Sequence, residues 1–128
     1  MDIAQISTPI WYRVTLEAGE DLFQALRGFF QKEKLKEAYI LSCIGSLEKI
    51  VLAYPKTKQI PPEIDRISLE GLFEINGISG NIKKEAGGIK VHLHGSISKA
   101  GREVSGGAIN EGTRIFKIAE LMIAGIKA

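Results

Sequence analysis

Ile10-Trp11-Tyr12-Arg13-Val14-Thr15-Leu16-Glu17, running into Ala18-Gly19-Glu20-Asp21-Leu22, is the stretch on which the fold turns. Ile10, Tyr12, Val14 and Leu16 fall on one side of it, and Trp11, Arg13, Thr15 and Glu17 on the other. A period of two is that of a half-buried strand. Gly19-Glu20-Asp21 ends the alternation and opens a helix, with two acids in its first turn to complement the positive end of the helix dipole. Leu22, Leu26, Phe29 and Phe30 then recur at spacings of three and four, which makes one helical face apolar. Gln24, Arg27, Gln31 and Lys34 lie largely elsewhere. Gly28 costs such a helix about 1 kcal/mol relative to Ala, and close packing on a sheet would account for it.

Beyond this helix the chain reads almost entirely as strands. Tyr39-Ile40-Leu41-Ser42-Cys43-Ile44 is nearly continuous and apolar, the pattern of a strand covered on both faces. Gly45-Ser46 is a break, and Ile50 to Tyr54 is a further strand. The segment 55–62 holds three prolines and reads as a loop. Ile64 to Ile82 is strand-like with interruptions at Gly71 and Gly77. Ile89 to Ser98 alternates strictly, and Lys99-Ala100-Gly101-Arg102 turns it into a hairpin with Glu103 to Ile109. Thr113 to Ile126 fits two patterns. Phe116, Ala119, Ile123 and Ile126 make a helical stripe, whereas Ile115, Ala119, Leu121 and Ile123 line a strand face. Ala119-Glu120-Leu121-Met122 tips local propensity towards helix. A strand, one helix and then a run of strands predicts a single α+β domain over residues 1–128, with a sheet of about seven strands packed on one main helix. The edges of such a sheet need covering, and oligomerisation is one way to cover them.

The composition narrows the function classes. A chain of 128 residues with 45% hydrophobic and 25% charged residues is globular rather than disordered. Seventeen basic and fifteen acidic residues leave a formal net charge of +2, too little to drive tight binding to nucleic acid or an anionic membrane. The basic residues worth weighing for DNA are Lys32, Lys34, Lys36, Lys56, Lys58, Lys83 and Lys84. They carry no AT-hook, zinc finger, helix-turn-helix or aromatic RNA-binding pattern, so weak, salt-sensitive, nonspecific DNA binding is expected. Cys43 is the only cysteine, so no intramolecular disulfide forms, and in its apolar run it reads as a small hydrophobe. The opening Met1-Asp2-Ile3-Ala4-Gln5 has no basic n-region, and no run of about 18 apolar residues occurs. A cytoplasmic location without membrane partners is expected. Gly87-Gly88 and Gly106-Gly107 lack the strand-to-helix setting of a phosphate loop, and turns and bulges explain them better.

Several short pieces occur in a telling order: Gly19-Glu20-Asp21-Leu22, Ile44-Gly45-Ser46-Leu47, Leu69-Glu70-Gly71-Leu72-Phe73-Glu74-Ile75, Ile78-Ser79-Gly80-Asn81-Ile82, Val91-His92-Leu93-His94-Gly95, Gly106-Gly107 and Glu111-Gly112-Thr113. In that order they resemble the plant-and-prokaryote conserved domain, the PPC domain, from about Arg13 to Ile123. The resemblance implies a mostly antiparallel, strongly bent sheet on one helix, a homotrimer, and a strand in place of the ambiguous last segment. It also implies a binding or regulatory module associated with DNA. By similarity of fold to acetolactate decarboxylase, it further implies an alternative: a metal-dependent enzyme on a small carboxylated or keto metabolite.

His92 and His94 carry the chemistry. They are the only histidines, and at i and i+2 on a strand they share one face. Imidazoles so placed can converge on zinc or another divalent metal; the plain alternative is two hydrogen-bonded polar histidines at a pocket or interface. The family carries a third histidine after its Gly-Gly pair, and here that position is Ala108. Cys43, Glu111, Glu74 or a neighbouring subunit would have to complete the site. Gly71-Leu72-Phe73-Glu74-Ile75 resembles the family's partner-contact motif with Leu72 in place of an arginine. Phe73 and Glu74 are therefore candidate partner or ligand residues, as are Arg13 and Glu111, for an unidentified small molecule or protein.

Overall fold

The computed structural model describes residues 1–128. β1 (Ile10–Glu17) leads into α1 (Leu22–Lys32), and five strands follow: β2 (Leu35–Pro55), β3 (Ile64–Glu85), β4 (Gly88–Lys99), β5 (Glu103–Ile109) and β6 (Arg114–Lys127). They form one sheet in the order β1-β6-β2-β3-β4-β5, with every pairing antiparallel. The sheet bends far enough for β5 to return to β2, where Ile109 and Ala108 pair with Leu52 and Ala53. The expected α+β class and single main helix hold.

The sheet has six strands, not about seven, because Gly45-Ser46 does not end a strand. β2 runs unbroken for 21 residues. A Cβ at Gly45 would overlap the Ile118 carbonyl oxygen and lie 2.7 Å from the Ala119 Cα. Glycine is there so that β6 can press against β2, and the pairing shifts register on either side of it. The strand bends at this point rather than stopping.

β6 is a strand, as the resemblance implies and as its own propensity does not. It lies between β1 and β2 and pairs with both, so its backbone groups are satisfied on both edges. Tertiary pairing outweighs a weak local preference.

The inner face of the sheet and one face of α1 form the core. Leu22, Leu26 and Phe30 are fully buried with Leu35, Leu47, Ile50, Ile82 and Leu121. Asp21 is the N-cap: its Oδ1 accepts hydrogen bonds from the Phe23 and Gln24 amides at 3.0 Å each. The two acids thus precede the first turn, which itself holds none. Asp21 Oδ2 also accepts from the Gly112 amide, and Thr113 Oγ1, fully buried, accepts from the Val51 amide and donates to the Asn110 carbonyl. Gly19-Glu20-Asp21 and Glu111-Gly112-Thr113, far apart in sequence, are therefore two halves of one joint between α1 and the β5–β6 loop.

Gly28 does not serve close packing. It is exposed, and a Cβ there meets nothing within 4 Å. Gly28→Ala is expected to stabilise the fold by about 1 kcal/mol, because Ala loses less backbone freedom on forming a helix. A rise in the urea midpoint at unchanged slope would show it; a fall would mean that the helix needs glycine for a reason its packing does not reveal.

Candidate metal and interaction site

β4 sends Leu93 and Ile97 into the core, so alternation places His92 and His94 on the outer face, both exposed. Their Nε2 atoms lie 3.1 Å apart, and the rings meet edge to face with centroids 5.0 Å apart. Two nitrogen ligands of a tetrahedral zinc at about 2.05 Å stand about 3.3 Å from each other. The pair is therefore spaced to share one ion. Without an ion, the same distance suits a hydrogen bond in which one Nε2–H donates to the other Nε2.

Register fixes what surrounds the pair. Asn81 of β3 lies opposite His92, and Ser79 lies opposite His94. Ala108 of β5 lies opposite His94 on the other side, at the position of the family's third histidine. Lys90, two residues before His92, faces Lys83 across the strand pair. Lys83 in turn contacts Glu37 at 4.0 Å. Tyr39 donates a 2.6 Å hydrogen bond to Glu37 Oε1, and that bond, with burial and the carboxylate charge, raises the phenol pKa.

The other candidate residues lie apart from the histidines. Cys43 points into the core with no exposed surface, and burial pushes its thiol up to about 12, so it offers no thiolate at neutral pH. Glu111 forms an ion pair with Arg27 where the β5–β6 loop meets α1. Glu74 pairs in register with Ser98, four residues and about 13 Å along β4 from His94. Phe73 is buried in the core, while Glu74 beside it is exposed. Arg13 is exposed on β1 opposite Met122. No three His, Cys, Asp or Glu side chains converge anywhere in the chain. One chain thus brings two donors together and stops one short of a zinc site.

Sequence reading missed the apolar outer face. Trp11, Leu41, Ile44, Phe116, Ile118 and Met122 are all large, apolar and substantially exposed. Register carries this face across β1, β6 and β2: Arg13 lies opposite Met122, Thr15 opposite Glu120, and Glu120 opposite Ile44. The continuous apolar run 39–44 was the available signal. It predicts a strand covered on both faces, and one of those faces is bare in the isolated chain.

Residues 6–127 match the Plants and Prokaryotes Conserved (PCC) domain. The chain belongs to this family. Among curated proteins, this PCC domain is 28% identical over 113 residues to the bifunctional protein GlmU of Synechococcus sp. (strain JA-3-3Ab), a match covering 88% of the chain and 17% of GlmU. The chain therefore spans less than a fifth of the length of that relative. Among solved structures, a PPC protein from Pyrococcus horikoshii superposes with a TM-score of 0.86 at 27% identity, covering 100% of this chain and 86% of its own. A protein from Archaeoglobus fulgidus described as metal-containing gives a TM-score of 0.84 at 22% identity, over 99% of this chain and 87% of its own. At lower identity the fold recurs in a candidate DNA-binding protein from Bacteroides thetaiotaomicron (18% identity, TM-score 0.81, 95% and 81% covered). It recurs also in α-acetolactate decarboxylase from Bacillus subtilis (16%, 0.59, 89% and 51%). The chain has no helix long and apolar enough to cross a membrane.

Proposed function

We propose that this PCC domain is a binding and regulatory module that assembles as a homotrimer and holds a divalent metal, such as zinc, at His92 and His94. The observation that carries the metal reading is the 3.1 Å separation of the two Nε2 atoms on an exposed strand face. The metal-containing relative from Archaeoglobus fulgidus, of the same fold, supports it. The trimer rests on the bare apolar face of β1, β6 and β2, since patches of that kind mark interfaces. Thiol catalysis is disfavoured because Cys43, the single thiol, is sealed in the core. A DNA-associated role is consistent with the Bacteroides neighbour, but a net charge of +2 limits such contact to weak, salt-sensitive binding.

One observation favours a second reading, a metal-dependent enzyme on a small carboxylated or keto metabolite. Lys83 and Lys90 lie on the histidine face, where they would attract a carboxylate to a metal with open positions. The fold shared with α-acetolactate decarboxylase is consistent with it.

Zinc titration of untagged protein by calorimetry tests the main reading. Wild type is expected to bind about one zinc per chain, and His92→Ala to lose that binding, since two ligands barely suffice. Unchanged binding by His92→Ala would remove the metal site. Sedimentation at micromolar concentration is expected to show a trimer, and a monomer alone would remove the assembly.

A further inference from the structure

We propose that the cleft between α1 and the β3–β4 hairpin binds a small organic anion with an apolar body, its acid group held by Lys34 and Lys84. The cleft lies on the core side of the sheet, and the histidine pair lies on the other. The inference rests neither on a metal nor on assembly.

The helix does not roof the whole inner face of the sheet. α1 has 11 residues, a length of about 16 Å. β4 sends Ile89, Val91, Leu93 and Ile97 to the inner face. Leu93 and Ile97 are buried, whereas Ile89 and Val91 pack against the core and stay only half-buried. Over them the cleft is open. A cavity of about 280 Å³ lies between Phe23 and Arg27 of α1 and the strand residues Ile89 and Val91. A second, of about 380 Å³, adjoins it across Gly88 and Ile89, with Gln31 and Lys34 on the helix side and Lys84 on the strand side. Ligand sites run from roughly 300 to 1,000 Å³, so a cleft of this size suits a small molecule.

Both lysines stand where local rules ask for something else. The inner face of β3 runs through Ile78, Gly80 and Ile82, and Ile78 and Ile82 are buried. Lys84, opposite Ile89, continues that series with a cation where alternation calls for an apolar residue. Lys34 follows α1 with φ at 55°. That is the left-handed region, where a helix end ordinarily places glycine and where a side chain costs backbone strain. Lys34 borders the same cavity as Lys84. Neither has an ion-pair partner, since the ion pairs of the chain are Arg27–Glu111, Lys83–Glu37 and Arg114–Glu48. Arg27 is thus engaged, and Lys34 and Lys84 are the free cations of the cleft. Glu85 also borders it, but alternation turns its side chain towards the outer face with Lys83.

The two features define the ligand. An apolar body over Ile89 and Val91 completes their burial and removes apolar surface from water. An acid group at the Lys34 end meets two ammonium groups, which fix its direction. A neutral apolar molecule gains only the first contribution, and an inorganic anion only the second. The competing account is that Lys84 lays its hydrocarbon stem over Ile89 and keeps its ammonium in water. On that account the cleft has no preference for an acid.

The test titrates the nitrogen-15-labelled chain with 4-methylpentanoate, with its neutral amide 4-methylpentanamide, and with inorganic phosphate, all at one ionic strength. The amide resonances of Gly88, Ile89 and Val91 are followed. The expected result is a saturable shift with the acid at millimolar Kd, as suits a ligand of about eight non-hydrogen atoms in an open cleft. The neutral amide and phosphate should each bind at least about fivefold more weakly. Lys84→Gln and Lys34→Gln should each weaken the acid about fivefold, the upper end of what one exposed ion pair contributes. Lys56→Gln, an exposed lysine in the loop after β2, should leave it unchanged. Lys34→Gly separates binding from stability: it should raise the urea midpoint by relieving the left-handed strain, yet lose the same affinity. The absence of a saturable shift overturns the proposal, as do equal affinities for acid and neutral amide, or wild-type affinity in Lys84→Gln. A stabilised Lys34→Gly protein with wild-type affinity overturns the role of Lys34. Phosphate bound as tightly as the acid overturns the apolar part of the site.

Discussion

Ala108→His is expected to bind zinc at least about tenfold more tightly than wild type, a gain of about 1.4 kcal/mol or more. The reason is register. Ala108 pairs directly with His94 on the neighbouring strand. Side chains on directly opposed residues share a face with Cβ atoms about 5 Å apart. An imidazole at 108 therefore enters the space that His92 and His94 already face, and it is half open there rather than packed into the core. Three imidazoles plus water make a standard zinc donor set. The added ligand belongs to the same chain, so binding in this variant should no longer depend on assembly. Dilution to a monomer would leave it intact. Calorimetry at two protein concentrations reads both effects. An Ala108→His protein that binds zinc no better than wild type would mean that the strands do not aim these three positions at one point. The site carried over from the family would then be wrong for this chain.

The largest stability effect is expected at Gly80. Gly80→Ala should cost about 3 kcal/mol or more, enough to unfold much of a marginally stable domain. Gly80 pairs with Leu93, between the two histidines. A Cβ at Gly80 would overlap the His92 carbonyl oxygen and approach the His92 carbonyl carbon and the Leu93 Cα to 2.9 Å each. These obstacles are backbone atoms of a central strand, so no side-chain rotation relieves them. Either β3 and β4 part or the protein fails to fold. Urea unfolding followed by far-UV circular dichroism measures the loss, and zinc binding should fall with it, because the His92 backbone must move. A Gly80→Ala protein of near wild-type stability would show that the two strands lie farther apart than the structure has them. Gly28→Ala, the exposed helix glycine, is the contrasting control with the opposite sign.

These two glycines show how legible the chain was. Both are written identically, one inside a helical stripe and one inside a strand. Nothing local tells that Gly28 faces water while Gly80 touches a neighbouring backbone. Contact distances across strands are set by the bend of the whole sheet. Gly45 makes the same point: read locally it ends a strand, and in the fold it is where β6 crosses close to β2.

Hydrophobic period by itself determined the first strand, the amphipathic helix, the β4–β5 hairpin, the α+β class and the outward histidine pair. Each is a local consequence of alternation or of a 3.6-residue stripe, and needs no distant residue to be read. The resemblance to a known family supplied the strand nature of β6, which its own residues left open. Only the tertiary structure decided that there are six strands, that Cys43 is sealed in the core, and that Glu111 is spent on Arg27. It alone showed that Ala108 stands beside His94 and that Glu120 sits stranded in an apolar face. All of these depend on pairings between residues far apart in sequence, in a sheet bent until β5 meets β2. Period shows which way a side chain faces; the closure of the sheet determines what it faces.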